Sequence, residues 1–213
     1  RCNDECKCYL RVVVKNYTSI SILGTGALAF SNPGTNGTIV VLKSQGKVNL
    51  TSTATSLINC SGLGAVGGAG QTSPEAVTSG SQGNSTIIQT NFGVGGALRC
   101  PETAGGVGGA GGAAILYTTD ATGKTLRSSC GGGGGAGGNS AGNASSGSGG
   151  RGGGGLIIEC AGKLTFTGTI TVAGNNGTAA DTPGNNEVGS GGGGGGAGGT
   201  CAILYRLLVA NTG

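Results

Sequence analysis

From Leu164 to Val172 the chain alternates: Leu164, Phe166, Ile170 and Val172 fall on one face of an extended backbone, and Thr165, Thr167, Thr169 and Thr171 on the other. A side-chain period of two predicts a β-strand with one face in a core. The threonine face reads as a β-forming solvent surface, or as a flat row of hydroxyls able to order water or contact a sugar. Shorter apolar runs recur at Ile39 to Leu42, Ala114 to Tyr117, Leu156 to Ile158 and Ala202 to Tyr205. Rich in β-branched or aliphatic residues and bounded by glycine, they predict short buried strands. Tyr9 to Lys15 reads as a further strand, directly after a cysteine cluster.

These runs belong to an imperfect unit made of an apolar run, a small turn with Gly-Lys, a Thr/Ser-rich stretch and a glycine tract carrying Gly-Gly-Ala-Gly. One copy passes from Ile39 through Gly46-Lys47 to Gly67-Gly68-Ala69-Gly70, another from Ile115 through Gly123-Lys124 to Gly134-Gly135-Ala136-Gly137. A third passes from Leu156 through Gly162-Lys163 to Gly195-Gly196-Ala197-Gly198, and Ala202 to Val209 is a truncated copy. Unequal spacing argues against a standard solenoid class and for stacked coils with variable loops. The expected fold is all-β, an irregular β-solenoid or β-sandwich-like stack of short strands. It divides into a Cys-rich N-terminal segment, residues 1–15, and one glycine-rich domain, residues 16–213, with the clearest repeats in 105–213.

Glycine changes this picture most. The 213 residues include 52 Gly and 4 Pro without a strict three-residue period, which excludes collagen. With only 9% charged residues, the chain lacks the charge that keeps disordered segments expanded. The tracts Gly131 to Gly138, Gly149 to Gly155 (interrupted by Arg151) and Gly191 to Gly199 offer no catalytic side chain, so they act through their backbone. As a phosphate cradle they fail, because no tract ends in Gly-Lys-Ser/Thr after a strand. As flexible loops they are ordinary glycine. As packed polyglycine II, nine residues would span about 28 Å, and side-by-side runs would hydrogen-bond through their N–H and C=O groups. The loop and packed readings both stay open.

With no Trp, 4 Tyr and 3 Phe, the core is thin, and covalent help is expected from eight cysteines. Cys2, Cys6, Cys8, Cys60, Cys100, Cys130, Cys160 and Cys201 are even in number, and no His completes a mixed zinc site, so disulfides are the expected state and no metal or cofactor is expected. Disulfides imply an oxidising, extracellular setting. The absence of Met, with Arg1 first, is what removal of an initiator and leader would leave. Sequons at Asn16, Asn36, Asn49, Asn59, Asn84, Asn143 and Asn176 make a secreted glycoprotein the expectation. No apolar run reaches the length of a membrane span.

The segment Lys163 to Gly174, followed by Gly191 to Gly199 and a strand, resembles glycine-rich repeat surface proteins of archaea and bacteria. That resemblance implies a β-helical or otherwise all-β extracellular structural protein. Glycine tracts alternating with variable loops are also similar to the glycine-rich tip adhesins of phage long tail fibres, which imply a polyglycine II sandwich and receptor binding by loops. The resemblance covers about residues 105–213.

An enzyme is not expected, since His is absent and the acids Asp120, Glu159, Asp181 and Glu187 show no catalytic spacing. The leading expectation is a subunit of an extracellular filament or sheath that pairs with copies of itself through a donated or edge strand, Tyr9, Leu10, Val12, Val13 and Val14. The alternative is an adhesin for surface glycans, with loops such as Gly174 to Asn186 in contact; an ice-binding protein is a third. Nucleic acid is not an expected partner, because the basic residues form no cluster.

Overall fold

The computed structural model describes residues 11–70, 130–137, 145–180 and 190–211. Its strands form successive rungs. The first rung is β1 (Arg11–Tyr17), β2 (Ile20–Gly24) and β3 (Leu28–Ala29), and the second is β4 (Thr38–Ser44), β5 (Val48–Ser52) and β6 (Ile58–Asn59). The third is β7 (Gly155–Thr167) and β8 (Ile170–Thr171), and the fourth is β9 (Cys201–Asn211). No helix occurs among the described residues.

Each strand pairs in parallel with the strand at the same place in the next rung. Arg11 faces Thr38, Ile20 faces Val48 and Leu28 faces Ile58, so the chain completes a circuit before it pairs with itself. β7 covers two places, lying first between β4 and β9 and then between β5 and β9. Parallel pairing requires such long connections and excludes hairpins. A sandwich-like stack, which is normally antiparallel, does not describe this pairing.

In-register pairing turns the sequence pattern into columns. Val13, Val40, Leu156 and Cys201 make one inward column, and Ile20, Val48, Leu164 and Leu208 another. Val40, Leu50, Leu57, Ile58 and Leu156 are fully buried, with Ile22, Leu28, Phe166, Ile170 and Val172 packed against them. Each buried Val, Leu or Ile contributes about 1.5–3 kcal/mol. Small hydroxyls close the corners: Ser52 Oγ donates to Gly26 O at 2.6 Å, and Ser44 Oγ donates to Gly46 O at 3.2 Å.

The alternating segment Leu164 to Val172 is not one strand. β7 ends at Thr167, Gly168 turns the chain with φ of 132°, and β8 starts at Ile170 in a separate three-stranded sheet. The inward set Leu164, Phe166, Ile170 and Val172 reaches the core as expected. The threonines are divided, Thr165 and Thr167 on one sheet and Thr171 on the other, which does not fit the alternative reading of one flat row of hydroxyls.

β1 crosses the expected boundary between residues 15 and 16 and joins the stack. Val12, Val13 and Val14 pair with Ile39, Val40 and Val41 of their own chain. Tyr9 and Leu10 lie outside the described residues, as do the apolar run Ala114 to Tyr117 and the acids Asp120, Asp181 and Glu187.

Leu50 sits mid-stack between Ile22 and Phe166 with no exposure, whereas Leu23 on the end rung is 53% exposed. Leu50→Ala is expected to cost about 2–5 kcal/mol in urea unfolding. Leu23→Ala should stay within about 0.5 kcal/mol of the parent.

Candidate functional site: the glycine bundle and the corner groove

Five tracts run side by side next to the strands: residues 64–70, 131–137, 147–154, 172–178 and 191–199. Their hydrogen bonds repeat every third residue. Gly131, Gly134 and Gly137 donate to Gly153, Gly150 and Gly147 at 2.7, 2.8 and 2.9 Å. Gly147, Gly150 and Gly153 in turn donate to Gly191, Gly194 and Ala197 at 3.0, 2.8 and 2.8 Å. Gly149 and Gly152 donate to Gly68 and Ala65, while Ser148 and Arg151 carbonyls accept from Thr178 and Asn175. The tract 147–154 therefore bonds to the other four, in both parallel and antiparallel sense.

A β-strand would show a period of two; a period of three belongs to an extended chain with threefold symmetry. Close approach explains the absence of side chains. A Cβ at Gly149, Gly150, Gly152 or Gly153 would overlap a carbonyl oxygen of a neighbouring tract, and so would one at Gly193, Gly196 or Gly199. At Gly192, Gly195 and Gly198 the nearest atoms lie at 3.7, 3.7 and 3.8 Å, ordinary contact distances. One face of the outer tract is thus open, every third residue.

Arg151 is the charged residue of the central tract. Its Nε donates to Gly64 O at 3.1 Å and its guanidinium also donates to Gly34 O. It ties the bundle to the loop before β4, and burial lowers its pKa.

The disulfide framework is not present at the cysteines described. Cys60, Cys130, Cys160 and Cys201 are free thiols, and Cys2, Cys6, Cys8 and Cys100 lie outside the described residues. Register bears on two of them: Cys160 faces Ser44 and Tyr205, and Cys201 faces Leu156, so neither meets a cysteine across a rung. Cys60, which follows β6 on the second rung, and Cys201, on the fourth, have the third rung between them. Cys60 and Cys130 instead pack as small apolar groups. Burial, with a smaller contribution from Cys201, pushes the Cys60 thiol up to about 12, and burial pushes Cys130 up to about 11.

A second feature lies at the corner where each rung turns from its first strand to its second. A groove of about 610 Å³ is lined by Asn16, Tyr17, Gln45, Glu159, Tyr205 and Arg206, among others. Lys43 Nζ and Glu159 Oε2, register partners on β4 and β7, form an exposed ion pair at 3.0 Å. Such a pair contributes little to stability. Sequence reading missed the groove because its residues come from all four rungs.

Of the sequons, Asn16, Asn59 and Asn176 are exposed and Asn36 is partly buried beside its bridge partner Ala65. Asn49 lies within β5 with Oδ1 buried and unpartnered. Asn84 and Asn143 lie outside the described residues. No group of three or more potential metal ligands occurs among the described residues, and no described helix is long and apolar enough to cross a membrane. Comparisons with protein-family models, curated proteins and solved structures find no match.

Two outcomes follow from these distances. Gly150→Ala and Gly153→Ala should each lose about 1–3 kcal/mol or more through backbone overlap. Gly195→Ala and Gly198→Ala should be neutral or gain a few tenths of a kcal/mol; unfolding curves of the four variants give the comparison.

The raised Cys60 pKa also has a pH signature. Below its ordinary value of 9.0 both folded and unfolded thiols are protonated, and the group contributes no pH dependence. Between 9.0 and about 12 only the unfolded thiol ionises, so stability falls as pH rises. The parent should lose stability faster than Cys60→Ala from pH 9 to 11, measured as the difference between their unfolding midpoints.

Proposed function

We propose that this chain is a non-enzymatic extracellular structural protein, the repeating subunit of a glycosylated surface filament or sheath. In this reading the rungs are a short β-solenoid and the tracts beside them a polyglycine II-type bundle that stiffens it. The observation that carries it is the pair of open edges. β1 and β2 lie at one end of the stack and β9 at the other, each with one side unpaired among the described strands.

Both ends carry exposed apolar side chains: Val12 at 56%, Val14 and Leu23 at one, and Leu204, Leu207, Leu208 and Val209 at the other. The two edges run parallel to each other, so β9 of one copy suits β1 of the next with the pairing used inside the chain. An interface between two different surfaces related by translation does not close, and it generates an open filament. Because β1 is paired within its own chain, assembly proceeds by edge pairing and not by donation of that strand. The expected sugars fit Asn16, Asn59 and Asn176, which are exposed.

Val12→Lys with Val14→Lys should block one end, and Leu207→Lys with Val209→Lys the other. Each double variant alone is expected to sediment as a monomer; an equimolar mixture should stop at dimers, while the parent forms long polymers visible by electron microscopy. A parent that stays monomeric across concentration and ionic strength sinks the proposal.

A further inference from the structure

Two of the Gly-Lys turns that recur in the sequence, Gly46-Lys47 and Gly162-Lys163, are stacked in space. Ser19, Lys47 and Lys163 immediately precede Ile20, Val48 and Leu164, which are register partners. Gly162 N–H donates to Gly46 O across the rungs at 3.2 Å. In the fourth rung Arg206 falls where the β7–β9 register slips between Cys160 and Lys163. Lys47, Lys163 and Arg206 are all exposed, one to a rung, with rungs about 4.8 Å apart. Among the described residues Lys47, Lys163 and Arg206 have no acidic partner, whereas Lys43 is held by Glu159.

The groove at this corner adds a different chemistry. Tyr17 on the first rung is 42% exposed and Tyr205 on the fourth 48%. They stand about 14 Å apart by strand spacing, with the small residues Ser44, Cys160 and Ala161 between them. Asn16 and Gln45 bring side-chain amides, which both donate and accept hydrogen bonds. Arg206 is a cation of the lining with no acidic partner among the described residues.

The geometry points to this corner groove as a binding site for an acidic saccharide. Aromatic faces receive the apolar faces of sugar rings, amides match the hydroxyls, and the guanidinium takes a carboxylate through paired N–H donors. The stacked lysines beside it attract a polyanionic chain and make binding salt-dependent. Among the described residues of the groove Arg206 is the one cation without an acidic partner, which suits sparse carboxylates between neutral hydroxyls better than a phosphate on every unit. The groove is complete within one chain, so this inference stands or falls apart from the assembly proposal.

The saccharide has two possible sources, a free polymer or the chain's own glycan on Asn16, which lines the groove. The test uses the full chain made in a host that does not glycosylate it, titrated with polygalacturonate, with neutral dextran as control. Binding to polygalacturonate that weakens with salt, no binding to dextran, and a loss of about tenfold in Arg206→Gln and in Tyr205→Ala are expected. Unfolding midpoints of both variants equal to the parent's show that the loss is one of binding and not of folding.

The same titration is repeated on protein made in a glycosylating host. Loss of binding there, restored by Asn16→Gln, identifies the chain's own glycan as the occupant, whereas unchanged binding identifies a free polymer. No binding by the unglycosylated chain overturns the proposal. So does Lys15→Gln, outside the groove, weakening binding as much as Arg206→Gln. Displacement by single-stranded DNA at equal charge also overturns it, since that would indicate a general polyanion surface.

Discussion

A backbone without side chains has to satisfy its own N–H and C=O groups, and the structure is arranged around that requirement. Water could solvate such groups in a loop, but inside a packed body each needs a partner. The tract 147–154 finds partners on four sides, which a flat sheet cannot provide and a threefold chain can. The cost is that carbonyl oxygens occupy the space where a Cβ would be, so glycine is required by steric approach and not by an unusual φ. None of Gly149, Gly150, Gly152 and Gly153 has a positive φ in the left-handed range.

The bundle and the rungs form one hydrogen-bonded system. Gly147, Gly150 and Gly153 donate to residues 191, 194 and 197, and Leu156 N–H continues the series to Thr200 O at 2.8 Å. Leu156 already belongs to β7, and β9 begins at the next residue, Cys201. The step of three therefore runs unbroken into the strands, where side chains return and the step becomes two. At this junction backbone pairing hands over to apolar burial: Leu156 is fully buried in the core cluster. A register set in the tracts is inherited by β7 and β9, which helps a thin core hold a unique alignment.

Much of this was legible in the sequence, and the failures have physical reasons. Apolar runs at Ile39 to Leu42, Leu156 to Ile158 and Ala202 to Tyr205 lie within strands, because β-branched residues between glycines have few other uses. The inward set from Leu164 to Val172 was correct even though the strand is broken, since the turn at Gly168 conserves which side faces the core. The bend itself depends on one glycine φ that no neighbour announces. Cysteine number suggested bridges, but pairing depends on register, and register places Ser44, Tyr205 and Leu156 opposite Cys160 and Cys201. The direction and order of the tracts were unreadable, because a run of glycine carries no mark that distinguishes one alignment from another.

The end rungs show how an open stack avoids indiscriminate pairing. Lys15 occupies the column held in later rungs by Leu42, Ile158 and Ile203, and Arg206 stands at the register slip of β9. A charge in a core column and an irregularity in an edge strand are both devices that discourage edge-to-edge aggregation. Among the described residues the charges on the two edge strands, Arg11 and Lys15 on β1 and Arg206 on β9, are basic, so like charge tempers edge pairing without removing the apolar contact that drives it. An anionic saccharide lying along the corner would neutralise Lys47, Lys163 and Arg206 and lower that opposition. In a filament built by pairing β9 with β1 of the next copy, Tyr205 would come about one strand spacing, roughly 4.8 Å, from the next Tyr17. The groove would then continue from subunit to subunit, and a weak site on one chain would become a row whose avidity rises with the number of copies. Under this arrangement the ligand and the assembly would favour each other through one surface, the stacked corner that the glycine tracts hold in register.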